Sequence, residues 1–169
     1  GRKGPAILST RSIATGFVAA APPDGYTLLQ VTAAETAQPA LRTKMPYSLE
    51  RDFAPISLAA TGTFVLVVHP SVPARDVKQL IALARTQPGK LNYGSGTSSA
   101  LLCTELFKAA AGVDLLKVPY KASPQALTDL IGGQLQVVCE PLSTSLPLLR
   151  TGRLRALAVS SAERLPAVP

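Results

Sequence analysis

From Phe64 onward the apolar positions switch repeatedly between a spacing of two and a spacing of three to four, the mark of strands alternating with helices. Phe64 to Val68 is a β-branched run, FVLVV, stopped at His69-Pro70. Asp76 and Gln79 form an N-cap and N3 pair ahead of Val77, Leu80, Ile81 and Ala84, which predicts an amphipathic helix ended by Pro88-Gly89. Leu91 to Gly94 is the next strand. The polar loop Gly94-Ser95-Gly96-Thr97-Ser98-Ser99 then leads into a helix with Leu102, Leu106 and Ala109 on one stripe and Gly112 as its stop. Leu115 to Val118 is strand-like, and Ser123 as N-cap, Pro124 at N1, Leu127, Leu130 and Ile131, closed by Gly132-Gly133, mark another helix. A strand from Leu135 to Cys139, a short helix from Ser145 to Arg150 and a strand from Arg155 to Val159 follow. This alternation predicts a parallel or mostly parallel sheet with helices on its faces.

Residues 1–63 are patterned differently. A helix is predicted from Ser12 to Ala20, a turn at Pro23-Asp24-Gly25, and strands at Tyr26 to Val31 and Ala54 to Ala60. Two strands cannot close a core, so this segment should pack on something else. The domain boundary is placed at Thr61-Gly62-Thr63.

Composition narrows the function classes. Of 169 residues 47% are hydrophobic, enough to bury a core and to exclude a disordered chain. The 17 Lys and Arg outnumber the 10 Asp and Glu, giving a net charge of +7, but the basic groups are spread along the chain. The densest cluster, Arg150, Arg153 and Arg155, sits near a helix end, where cations complement the dipole, and no nucleic-acid-binding pattern accompanies it. Nucleic acid is not an expected partner. Cys103 and Cys139 stand far apart with one His in the whole chain, too little for a zinc site, so no metal and no cofactor are expected. Their apolar surroundings favour two small buried side chains over a disulfide. No run of apolar residues is long enough to span a membrane, and the first residues lack the pattern of a signal peptide.

The chemistry expected of an open α/β sheet lies outside the carboxyl ends of its strands, where helix N-termini offer free N–H groups and a dipole that favours negative charge. Ser95, Gly96, Thr97, Ser98 and Ser99 occupy that place. Their backbone and hydroxyls are suited to holding a carboxylate or phosphate without a cationic side chain, although the loop is neither a P-loop nor a dinucleotide fingerprint. Glu140, at the end of its strand, is either a solvated strand-end charge or a recognition group for a ligand donor in the same crevice, and Tyr120 and Lys121 are either simply solvated or line that crevice. Catalysis is not expected. The single His69 sits beside Pro70 in a different strand–helix unit, so a nucleophile at Ser95 or Ser98 would lack a base.

A series of segments now falls into place: DGYTLL (Asp24 to Leu29), QPAL (Gln38 to Leu41), MPY (Met45 to Tyr47), RDFAPISL (Arg51 to Leu58), VLVVHPSVPA (Val65 to Ala74), PGKLNYGSGTSS (Pro88 to Ser99), ELFK (Glu105 to Lys108), VPYKASPQALTDLIGGQLQ (Val118 to Gln136) and GRLRALAVSSAER (Gly152 to Arg164). In order and spacing the chain resembles the substrate-binding receptors of tripartite tricarboxylate transporters, the Bug-type periplasmic receptors.

The resemblance implies an α/β periplasmic-binding-protein-like fold of the type II, Venus-flytrap kind. It also implies a periplasmic receptor that captures a small organic carboxylate, such as a di- or tricarboxylate, in the cleft and hands it to a membrane permease. It implies no catalysis. It places the ligand carboxylate on Ser95, Gly96, Thr97, Ser98 and Ser99, puts Thr32 and Ala33 where the first domain lines the cleft, and makes Glu140 a selectivity position at which the family often has Asp. The loop is shorter here than is usual in the family, and Ala100 stands where a His is frequent.

Set beside the family, residues 1–63 are a partial first domain lacking its first strand and its C-terminal completion. Residues 64–160 are a complete second domain, and residues 161–169 begin the return to the first. The chain then reads as truncated at both ends. An alternative follows from that reading: an interaction module that no longer binds ligand and associates with itself through the exposed surface of the first-domain segment.

Overall fold

The computed structural model describes residues 10–33, 35–37 and 44–168. It divides into two compact units, residues 1–59 and 60–169.

In the first unit, helix α1 spans Thr10–Ala19. Ile13 and Phe17, one helical turn apart, are both exposed, whereas Thr15 is buried. Tyr47 and Phe53 pack edge to face at 6.3 Å, around a turn in which the Ser48 N–H donates to Asp52. The strands expected at Tyr26 to Val31 and Ala54 to Ala60 do not form. Strand conformation is held by a neighbouring strand, and the described residues offer neither segment one. Tyr26 (92%), Ile56 (80%) and Leu58 (78%) consequently lie open to solvent. QPAL lies outside the described residues.

The second unit is built on a five-stranded sheet: β1 (Phe64–Val68), β2 (Asn92–Ser95), β3 (Leu116–Pro119), β4 (Val137–Pro141) and β5 (Arg155–Val159), in the spatial order β3-β2-β4-β1-β5. Helices α2 (Val77–Thr86), α3 (Ser98–Ala111), α4 (Ser123–Ile131) and α5 (Leu142–Arg150) connect them. β2 runs parallel to β3 and β4, while β1 is antiparallel to both its neighbours, β4 and β5. The sheet is thus mostly parallel, as the sequence reading expects, with β1 as its one strand of opposite direction. The helical crossovers align β2, β3 and β4, and β1, inserted between β4 and β5, runs against them.

Both faces of the sheet are covered, which is why its strands are apolar at successive positions. Leu66, Val68, Tyr93, Val137 and Cys139 pack with Leu80 and Ala84 of α2 and with Cys103 and Phe107 of α3. Val65, Val67 and Val138 pack on the other face with Ala126, Leu127 and Leu130 of α4 and Leu148 and Leu149 of α5.

Local signals explain most boundaries. Asp76 caps α2 by accepting from the Gln79 N–H at 2.8 Å, and Gly112 ends α3 in the left-handed conformation (φ 60°) that a side chain resists. Two assignments shift. α4 starts at Ser123 itself, with Ala122 in the N-cap position and no side-chain cap, so Ser123 does not cap it. The inward face of α3 carries Ala100, Cys103, Thr104 and Phe107, while Leu106 of the expected stripe is exposed. Both sets satisfy helical spacing. What selects between them is a covalent link that the sequence reading disfavoured: Cys103 and Cys139 are joined as a disulfide, with their Cα atoms 6.2 Å apart.

Candidate functional site

Because β2, β3 and β4 are parallel and each leads directly to a helix, their carboxyl ends bring the N-termini of α3, α4 and α5 to one end of the sheet. Ser95 ends β2 opposite Pro119 of β3, and its carbonyl accepts from the Tyr120 N–H at 3.3 Å. Thr97 is the N-cap of α3, in extended conformation, with Oγ1 accepting from the Ala100 N–H at 3.2 Å. Ser98 and Ser99 form the first helical turn. Ser95 is buried, Gly96 and Ser99 are half-buried, and Thr97 and Ser98 are exposed.

Gly96 explains how the two helix starts meet. A β-carbon built on it would stand 2.0 Å from the Ser123 nitrogen and 2.1 Å from the Ala122 carbonyl carbon. Only a residue without a side chain lets the α3 loop lie against the first peptide of α4.

Glu140 is the third component. It lies in β4 opposite Val65 of β1, one residue beyond the disulfide-bonded Cys139, and is fully buried. Burial pushes its carboxyl above the ordinary Glu range, and the Ser123 hydroxyl works in the opposite direction. That hydroxyl does not close a full hydrogen bond: among the described residues, neither Glu140 oxygen nor Ser123 Oγ has a partner. The site thus combines N–H groups and hydroxyls suited to an anion with a buried, unpaired acid.

Of the residues singled out in the sequence, Ser95, Gly96, Thr97, Ser98, Ser99 and Glu140 all fall at this end of the second unit. Thr32 and Ala33 belong to the first unit, where the Thr32 N–H and hydroxyl both donate to the buried Glu35 carboxylate. Burial, together with the hydrogen bond that its hydroxyl donates to Asp129 at 2.6 Å, raises the Tyr120 pKa to about 12. Lys121 is exposed.

His69 sits at the opposite end of the sheet, where Val68 pairs with Val137 at the start of β4. Its Nδ1 lies 2.7 Å from Ser71 Oγ and accepts from the Ser71 N–H at 3.2 Å. A groove lined by Pro70, Leu149, Arg150, Leu154 and Arg155 also lies at that end. Ser123 and the disulfide are what sequence reasoning missed. The available signal was the alternation of β4, which puts Val137 and Cys139 together on the face that α3 covers.

A family model described as "Tripartite tricarboxylate transporter family receptor" matches residues 9–169. The chain is 33% identical over 177 residues to Protein BugT of Bordetella pertussis, covering 98% of this chain and 54% of that protein. Among solved structures it is similar to R. palustris Rpa4515 with adipate, at 37% identity and a TM-score of 0.72 over 90% of this chain and 52% of that one. It is also similar to MatC from Rhodopseudomonas palustris with bound malate, at 28% identity and a TM-score of 0.75 over 94% and 56%. The chain spans about half the length of these relatives. The matched family is one of receptors rather than enzymes, in agreement with the reading without catalysis.

Proposed function

Since the chain belongs to the receptor family of the tripartite tricarboxylate transporters, we propose that it captures a small organic carboxylate, of the di- or tricarboxylate class, in the periplasm and delivers it to a membrane permease. The observation that carries this reading is the convergence of the α3 and α4 N-termini on the neutral loop Ser95–Ser99. A carboxylate held there by Gly96, Thr97, Ser98 and Ser99 would gain charge-assisted hydrogen bonds without a cationic side chain. Related proteins solved with adipate and malate support the ligand class. Glu140 reads the far end of the ligand, and in the first unit Thr32 and Ala33 are further ligand-binding candidates that the family resemblance assigns.

Chemistry as well as kinship supports the periplasmic reading. A disulfide between Cys103 and Cys139 persists in an oxidising compartment. Among the described residues no helix is long and apolar enough to cross a membrane. Titration calorimetry with a panel of mono-, di- and tricarboxylates tests the reading. Saturable binding of a di- or tricarboxylate is expected, and the absence of binding by every member of the panel would overturn it.

A second reading, association of the chain with itself, is favoured by the exposure of Phe17, Tyr26, Leu28, Ile56 and Leu58 in the first unit. Light scattering over a concentration series decides it: growth in mass supports association, and a constant monomer mass excludes it.

A further inference from the structure

Glu140 poses a chemical problem that the carboxylate reading sharpens. An ionised Glu beside a bound carboxylate would place two like charges in one site, which opposes binding unless the pair shares a proton. Alone, a buried carboxyl with both oxygens unpartnered is costly as an anion and much less so as a neutral acid. The surroundings do nothing to reverse this. β1 sets Val65 opposite and α4 brings the Ser123 hydroxyl, while the disulfide of the preceding Cys139 lies on the other face of the sheet. Burial and that hydroxyl are the influences on the carboxyl, with no charged side chain from β1, β2, α3, α4 or α5 contributing among the described residues. No backbone N–H reaches it either, although α4 and α5 both start without a side-chain cap.

We propose that Glu140 and Ser123 form a proton-donating subsite beside the Ser95–Ser99 loop. In it the neutral Glu140 carboxyl donates its O–H to a ligand carboxylate oxygen, while the Ser123 hydroxyl donates to the other Glu140 oxygen and positions it. This rests on the carboxylate reading and adds to it that the site takes its ligand together with one protein-bound proton. The class selected is a dianionic ligand with no ammonium group: one carboxylate sits on the helix N-termini and the other meets the acid. Ser123 is a positioning residue and Glu140 the contact.

The test is titration calorimetry of the chain with adipate, malate and aspartate at about pH 6.5 and about pH 8.5, above the range in which simple carboxylates titrate. Dicarboxylate affinity should fall across that interval, by up to about tenfold per pH unit above the Glu140 pKa. Glu140→Gln, which donates but cannot ionise, should keep binding and lose the pH dependence. Ser123→Ala, which removes the group favouring the ionised form, should move the pH profile upward. A wild-type affinity that does not change with pH would overturn the subsite while leaving the carboxylate reading intact. So would a preference for aspartate that grows as pH rises, because an ammonium needs the ionised acid. Failure of every dicarboxylate at both pH values would instead overturn both.

Discussion

Gly96 and Ser123, from two different helix starts, meet so closely that a β-carbon on Gly96 would stand 2.0 Å from the Ser123 nitrogen. The obstruction is backbone, which cannot swing aside as a flexible side chain can. Gly96→Ala should therefore cost about 1–3 kcal/mol of stability, as overpacking does elsewhere, and separate the α3 loop from α4. Urea unfolding of the two proteins measures the difference.

The cap at the same helix gives a milder perturbation. Thr97→Ala removes the acceptor for the Ala100 N–H, with an expected loss of about 1 kcal/mol. If the freed first turn holds a carboxylate, Thr97→Ala should also weaken ligand binding, whereas Asp76→Ala at the start of α2 should cost similar stability and leave binding unchanged. Comparing the two by unfolding and calorimetry separates capping from recognition.

The disulfide ties α3, whose N-terminus forms the loop, to the strand that carries Glu140. Closing a loop with a sequence separation of 36 restricts the unfolded chain enough to contribute about 3–4 kcal/mol. Cys103→Ser with Cys139→Ser, or reduction of the native protein, should lower the unfolding midpoint by a corresponding amount. Amide exchange at residues 95–100 should rise with it. An unchanged midpoint in both cases would mean that the bridge adds no stability.

Glu140 makes stability depend on pH with a definite sign. Its carboxyl is raised in the folded state above the ordinary value near 4.5, so the folded protein binds more protons than the unfolded chain over the interval between the two values. Stability is lost as pH rises through that interval. Glu140→Leu, which has nothing to ionise, should escape this loss, so its stability relative to wild type should grow from acid toward neutral pH. A difference that stays flat with pH would show that Glu140 titrates normally.

Much of the second unit was legible in its sequence because its signals are local. FVLVV, the Asp76–Gln79 pair, Gly112 and the Gly132-Gly133 stop each act within a few residues, and each marks an element or its end. The loop at Ser95–Ser99 was legible for the same reason. Features that depend on distant partners were not. The direction of β1 is decided by its place between β4 and β5, and the inward face of α3 by Cys139 on another element. Ser123 looked like a cap because Ser before Pro usually is one; its contact with Glu140 exists only once β4 and α4 are side by side. The strands expected in the first unit had the right pattern, Tyr26 alternating with Leu28 and Ile56 with Leu58, but alternation without a neighbouring strand is not a sheet.

NMR of the isotope-labelled chain titrated with adipate or malate reports on whether backbone N–H groups at the start of α3 hold the ligand carboxylate. Saturable shifts of the Gly96, Thr97, Ser98, Ser99 and Ala100 amides are expected, with Ser123 responding alongside them. Shifts confined to the groove at Arg150 and Arg155 on the opposite end of the sheet, or no saturable shift at residues 96–100 with any carboxylate, would contradict that placement of the carboxylate.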